Sequence, residues 1–364
     1  ESINYHTLPE TDVKMLEELN AMMAADNEKW WPEYHFAERP LVLIAKKETD
    51  TVGAGHNRAY YAINIPHIET AQKIVMPADY VLQEVCLLRD VPFAIKKLKG
   101  NFCDNDAQIT LGDSQQVFCL KYNENCFNAD TDPAFRFVSF LSHEAMHYYM
   151  QQNWKIDAPY VGDLTAADIQ LLGLKYAILD AMRLETDKEQ ADKATLAALV
   201  HEYVGLGESR KQAQPVYFEA EQLQETAESA ANYAALQAVK DTGGSFGVLA
   251  FAGNPGRVTF MNVFEQMAQG NYSASRFIGN WELYNTGLQL ELVLDALGVS
   301  DWQQKLNAQT KDAPVVIYDL LAVYDQSFAM DGQVTPDMLR EKYAIEDLAS
   351  RSKAIVTYLH DEQG

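Results

Sequence analysis

The sequence predicts an α+β fold in two lobes, and three observations carry that expectation. Short apolar runs with strand character fall before residue 123 and almost vanish after Asn153. Beyond that point, segments with apolar residues at helical spacing dominate. A chain of 364 residues with 48% hydrophobic content can also bury enough surface for two domains or one large bilobal unit. The shift in composition lies at 154–162, which predicts a mixed N-terminal lobe over 1–155 and a mostly helical lobe over 156–364.

Taken in order, residues 10–25 place Val13, Leu16, Leu19, Met22 and Met23 at helical spacing, with Thr11 or Asp12 as the cap. An aromatic loop containing Trp30, Trp31, Tyr34 and Phe36 follows. Residues 41–44 and 59–63 read as strands, each after Gly or Pro punctuation, and 80–88 and 93–98 read as helices. Residues 108–111 and 116–122, joined through Gly112-Asp113-Ser114, read as a β-hairpin. An exposed edge of that hairpin would hold an extended peptide by strand addition; a fully covered hairpin is the alternative. Asp132-Pro133 supplies a helix start, with the carboxylate as N-cap and proline at the first helical position. Further helices are expected over 164–184, 188–204, 216–239, 258–267, 281–297 and 315–324.

Charge and apolar content exclude two classes of partner. A formal charge of −23 and a pI near 4.6 argue against nucleic acid, since a polyanion is repelled. No uninterrupted apolar run of about 20 residues exists to span a membrane. The nearest, 243–260, is broken by Asn254-Pro255-Gly256-Arg257 and reads as a loop or lid. The chain opens at Glu1 and reads as a mature chain whose export signal has gone, so a secreted or periplasmic location is expected. Cys86, Cys103, Cys119 and Cys126 then favour disulfides over metal ligation, with three pairings open and buried thiols as the alternative. Asp104, Asp106, Asp130 and Asp132 lack EF-hand spacing and read as loops and caps.

The densest chemistry lies at His143-Glu144-Ala-Met-His147, inside an uncharged helical run. Residues four apart share a helix face, so both imidazoles can reach one metal ion. Glu144 projects about 100° round from His143, where its carboxylate misses the ion and meets the attacking water. Such a site uses zinc as Lewis acid and Glu144 as general base. His201-Glu202 is a useful contrast, because Gly205 stands where a second histidine would be needed; that pair reads as helix surface.

A catalytic zinc ordinarily has three protein ligands, and 148–160 contain no further histidine. Glu228-Ser-Ala-Ala-Asn-Tyr233, on a helix with small residues, resembles the Glu-Gly-x-Ala-x-Tyr segment of the gluzincins, zinc peptidases in which a second helix supplies a glutamate. Ser229 in place of glycine is the one departure. The resemblance implies a zincin-like two-lobed fold in which His143, His147 and Glu228 bind Zn2+. Glu225, one turn earlier, is the rival ligand or a group that orients a ligating histidine. Tyr284-Asn-Thr-Gly287 resembles the Tyr-x-x-Gly of the aminopeptidase N group and implies that Tyr284 stabilises the oxyanion. The chain lacks the Gly-Ala-Met-Glu-Asn segment with which that group binds a substrate's amino terminus. The expectation is therefore a zinc metallopeptidase acting on peptide or protein substrates as an endopeptidase. The alternatives are a non-catalytic zincin-fold binding protein and a zinc hydrolase of a non-peptide amide.

Overall fold

Buried apolar strands decide the architecture of the first of two units. The computed structural model describes residues 1–47, 56–251, 258–328 and 330–363. The first unit comprises Glu1–Gln152 with Tyr233–Gly253, and the second comprises Asn153–Asn232 with Asn254–Gly364. In the first, the strands are β1 (Ile3–Asn4), β2 (Leu41–Lys46), β3 (Asn57–Ile63), β4 (Gln72–Val75), β5 (Val85–Leu87) and β6 (Phe118–Tyr122). They form one mixed sheet in the order β1-β4-β5-β3-β2-β6, in which the β1/β4 and β2/β6 pairs are parallel. β2 and β6 are buried along their whole length, and their nearly continuous apolar runs suit strands covered on both faces.

Helices α1 (Glu10–Ala24), α2 (Phe93–Lys96) and α3 (Phe137–Met150) complete the chain up to Gln152. α3 packs against both α1 and β6. Pro9, rather than Thr11 or Asp12, precedes the first turn of α1. Asp12 is fully buried instead and accepts hydrogen bonds from Arg58 (2.8 and 2.7 Å), from Tyr122 (2.7 Å) and from Tyr61. Such a charge is tolerated inside only because it is paired and hydrogen-bonded on both oxygens.

Four other sequence expectations for this unit are corrected. Residues 80–88 form no helix, and their end is strand β5. The hairpin over 108–122 does not form a ladder: Leu111 and Ser114 make an isolated bridge, and β6 pairs in parallel with β2. The free edge of β6 is covered, since Cys103 N–H donates to Cys119 O (3.1 Å) and Lys121 N–H to Asn101 O (2.7 Å). That removes the edge proposed for strand addition. All four cysteines are free thiols, although the Cys103 and Cys119 thiols are hydrogen-bonded to each other. Asp132 caps a short 3-10 turn, Pro133–Phe135, and α3 begins only at Phe137.

The second unit is helical. Its elements are α4 (Ala166–Thr186), α5 (Lys193–Ala213), α6 (Pro215–Asp241, as far as Asn232), α7 (Phe260–Ala268), α8 (Ala274–Arg276), α9 (Glu282–Ala296), α10 (Trp302–Asn307), α11 (Ile317–Phe328), α12 (Pro336–Tyr343) and α13 (Leu348–Gln363). α4 is the hub, packing on α5, α7, α9, α12 and α13. It opens on a capping box in which Thr165 and Asp168 satisfy each other's backbone donors. His201 and Glu202 are not plain surface. His201 bridges Asp325 (2.9 Å) and Gly332 O (2.8 Å), and Glu202 takes Lys342 (2.8 Å) and Tyr343 (3.1 Å), so the pair ties α5 to α11 and α12. The interrupting residues 254–257 of the expected lid lie outside the described residues. Among the described residues no helix is long and apolar enough to cross a membrane.

Candidate metal centre

α3 carries the chemistry because its sequence is apolar all round. Phe137, Leu141, Ala145, Met146 and Tyr148 are buried with it, so the two histidines are drawn inside the first unit, each 6% exposed. Their spacing of four residues then brings the rings together. His147 Nε2 lies 3.1 Å from His143 Nε2, with ring centroids 4.8 Å apart. Two nitrogens bound to one tetrahedral zinc stand about 3.3 Å apart at ordinary zinc–nitrogen distances, so the pair fits such an ion with a small adjustment. Glu144 is half-buried, and one ligand atom from each of His143, Glu144 and His147 lies within 4.8 Å of the others. This group can hold a metal ion.

Two neighbours prepare the helix, and neither was evident from the sequence. Gln151, 2% exposed, places Oε1 2.7 Å from His147 Nδ1. With Nδ1–H donating to that amide oxygen, Nε2 is the nitrogen left to bind a metal, and the ring is held in one orientation. The available signal was spacing alone, since Gln151 lies one further helical turn beyond His147. Tyr34, fully buried, donates to Ser142 O (2.8 Å) beside His143. Burial, with Tyr149 and Glu144 adding to it, pushes this phenol well above its ordinary pKa, so it remains a donor. Tyr34 gave no signal beyond its place in an aromatic loop.

The other expected site residues belong to the second unit. Glu228 is buried on α6, 7% exposed, and Tyr284 is half-buried on α9. Asn232 Nδ2 donates to Tyr284 O (3.3 Å), which sets the tyrosine beside the α6 turn that follows Glu228. Gly287 explains the closeness of these helices: a Cβ there would stand 2.4 Å from the Ser229 side chain and 2.9 Å from Glu225 Cγ. Glu225 is fully buried, and its Oε2 accepts from Lys175 (2.8 Å) and Thr286 (2.6 Å). Both contacts fall on Oε2; Oε1 is buried and has no hydrogen-bond partner among the described residues.

Around that pair lies a buried charge network. Lys175 also reaches Glu221 (3.4 Å), which Arg210 grips through both nitrogens (2.7 and 2.6 Å). Glu282 accepts from the Tyr176 hydroxyl, and its Oε1 has no partner among the described residues. Burial pushes its carboxyl up to about 8, against the pull of Lys175, so Glu282 is protonated at neutral pH. Comparison with protein-family models, with curated proteins and with solved structures gives no match. The functional reading therefore rests on the residues themselves.

Proposed function

We propose that the chain is a zinc-dependent metallopeptidase of gluzincin type, acting on peptide or protein substrates as an endopeptidase. The observation that supports this reading is the convergence of His143 Nε2 and His147 Nε2 at 3.1 Å, with Glu144 beside them on one buried helix. A structural metal site has no use for a base next to its ligands. When bound, zinc supplies a Lewis acid and lowers the pKa of water to roughly 7. The chain's own residues do the rest. His143 and His147 hold the ion, and Gln151 keeps the His147 tautomer fixed. Glu144 takes the proton of the attacking water and passes it to the leaving amine. Glu228 is the proposed third ligand, on its motif and burial, and Tyr284 the proposed donor to the oxyanion.

Glu144→Gln tests the proposal, because it keeps the shape and the ligands while removing the base. The variant is expected to retain about one zinc per chain and to fold normally. It should lose activity on a peptide library by roughly 10²–10⁴-fold or more. Equal cleavage by wild type and Glu144→Gln would place the chemistry elsewhere. Wild-type protein that holds zinc but cleaves no peptide would give way to the binding-protein reading.

A further inference from the structure

A cavity of about 360 Å³ opens in the first unit, and its volume falls within the roughly 300–1,000 Å³ of small-molecule sites. One residue in its wall is a buried amine. Lys121 lines the cavity at 8% exposure, and it stands on a strand fixed along both edges. β6 pairs with β2 on one side, and on the other the Lys121 N–H donates to Asn101 O (2.7 Å) and the Cys103 N–H to Cys119 O (3.1 Å). The side chain is held too, since Nζ donates to Leu98 O (2.8 Å). That acceptor is a neutral carbonyl, and no carboxylate lies within ion-pair distance of Lys121 among the described residues.

Such surroundings favour the uncharged amine. Burial, with the charge of Lys46 adding to it, lowers the Lys121 pKa from the ordinary lysine value. The fraction of lysine with a free lone pair at neutral pH rises accordingly, and the neutral amine is the nucleophilic form. It can keep its bond to Leu98 O through one N–H and attack with the lone pair. Asn123, in the same wall, supplies a donor for the oxygen of the group attacked: its Oδ1 accepts from Asn125 N–H (3.0 Å), which leaves Nδ2 to donate. Phe135 and Phe140 add aromatic surface, their rings edge to face with centroids 5.9 Å apart and Phe135 half exposed. A buried amine, an amide donor and open aromatic surface together suit a carbonyl compound with an apolar body.

We propose that Lys121 captures aldehydes with an apolar body as a reversible imine, the apolar part resting on Phe135 and Phe140. The Nζ lone pair adds to the carbonyl carbon while the carbonyl π pair moves to oxygen, which gains a proton as nitrogen loses one. The nitrogen lone pair of this carbinolamine then expels the hydroxyl, which leaves as water with a proton from solvent, and the nitrogen returns one. Amine and aldehyde thus become imine and water. The site stands apart from the metal reading, and its test needs no metal. Phe140 belongs to α3, one helical turn before Glu144, so an occupant touches the helix that carries the histidines.

The probe is 3-phenylpropanal, added to the purified chain with cyanoborohydride, which reduces an imine to a stable secondary amine. Peptide mass mapping then reads which lysines are labelled. Lys121 should be labelled about tenfold faster than the exposed Lys14 and Lys305. An excess of 3-phenylpropan-1-ol, which matches the probe but has no carbonyl, should slow labelling of Lys121 several-fold and leave Lys14 unchanged. Cys126 lines the cavity and is half-buried, whereas Cys86 lies on β5, so the reduced adduct should slow maleimide labelling of Cys126 and leave Cys86 unchanged. Lys121→Met should abolish that protection. If the variant does not fold, competition by the alcohol and protection of Cys126 test the wild-type chain directly. Labelling of Lys121 no faster than of Lys14, faster labelling of Lys46, no effect of the alcohol, or unprotected Cys126 each overturns the proposal.

Discussion

At the scale of single residues, the candidate metal centre leans on a group with no charge. Gln151 holds His147 through Nδ1, so Gln151→Leu should weaken zinc binding by about 10–100-fold while leaving the fold intact. Zinc titration against a chromogenic chelator measures this, and an unchanged affinity would mean that the His147 ring is fixed by other contacts. The two histidines and Glu144 were readable because holding one metal ion on a helix calls for that spacing. Gln151 and Tyr34 were not, since an amide at a helix end and a phenol in a loop serve many purposes. Buried Glu282 gives a second test at this scale. Its folded pKa, about 8, exceeds the usual carboxylate value, so the folded state holds a proton that the unfolded chain releases near pH 4.5. Its stabilising share is thus complete below that pH and falls away as pH rises through 8. Glu282→Gln, which needs no proton, should gain stability relative to wild type between pH 5 and pH 9, as read from urea midpoints. A constant difference across that range would show that Lys175 and Arg210 keep the carboxylate charged throughout.

At the scale of elements, close packing explains a motif that first invited a catalytic reading. Gly287 lets α9 lie against Ser229 and Glu225 of α6, whatever Tyr284 does. Gly287→Ala should destabilise the protein by about 1–3 kcal/mol through overpacking. The cost should shrink in a Ser229→Gly background, where the nearest atoms are gone; additive effects in denaturant unfolding would mean that the helices simply move apart. The long helices were legible because their apolar spacing persists over many turns. The strands were less so. β5 is three residues long, too short for a pattern to show, and the run after the Gly112-Asp113-Ser114 turn that suggested a hairpin at β6 is equally suited to a parallel partner distant in sequence. Asp12 illustrates the same limit: near a helix start it resembles a cap, and only the fold brings Arg58, Tyr61 and Tyr122 to it.

At the scale of the whole molecule, neither unit is a continuous piece of chain. Tyr233–Gly253 belongs with the first unit, where Tyr233 meets the Trp31 ring edge to face at 6.1 Å and Asp241 accepts from Trp30 Nε1 (2.7 Å). Composition places a change of character near Asn153 but is blind to this return, because a helix crossing between units keeps one periodicity along its length. A fragment of residues 1–152 should therefore fold poorly. Trp30 and Trp31 are its only tryptophans and are fully buried in the intact protein, so the fragment should show red-shifted emission and no cooperative unfolding. Blue-shifted emission with a sharp transition would show that Tyr233–Gly253 is dispensable. The return also sets an order of events during synthesis. When α3 leaves the ribosome, the residues that close over Trp30 and Trp31 have yet to be made, and at ordinary elongation rates they arrive on the order of 5–20 s later. For that interval the histidine-bearing helix belongs to an unfinished unit with apolar surface open to chaperones, and a metal captured then would meet a site whose surroundings are still being assembled.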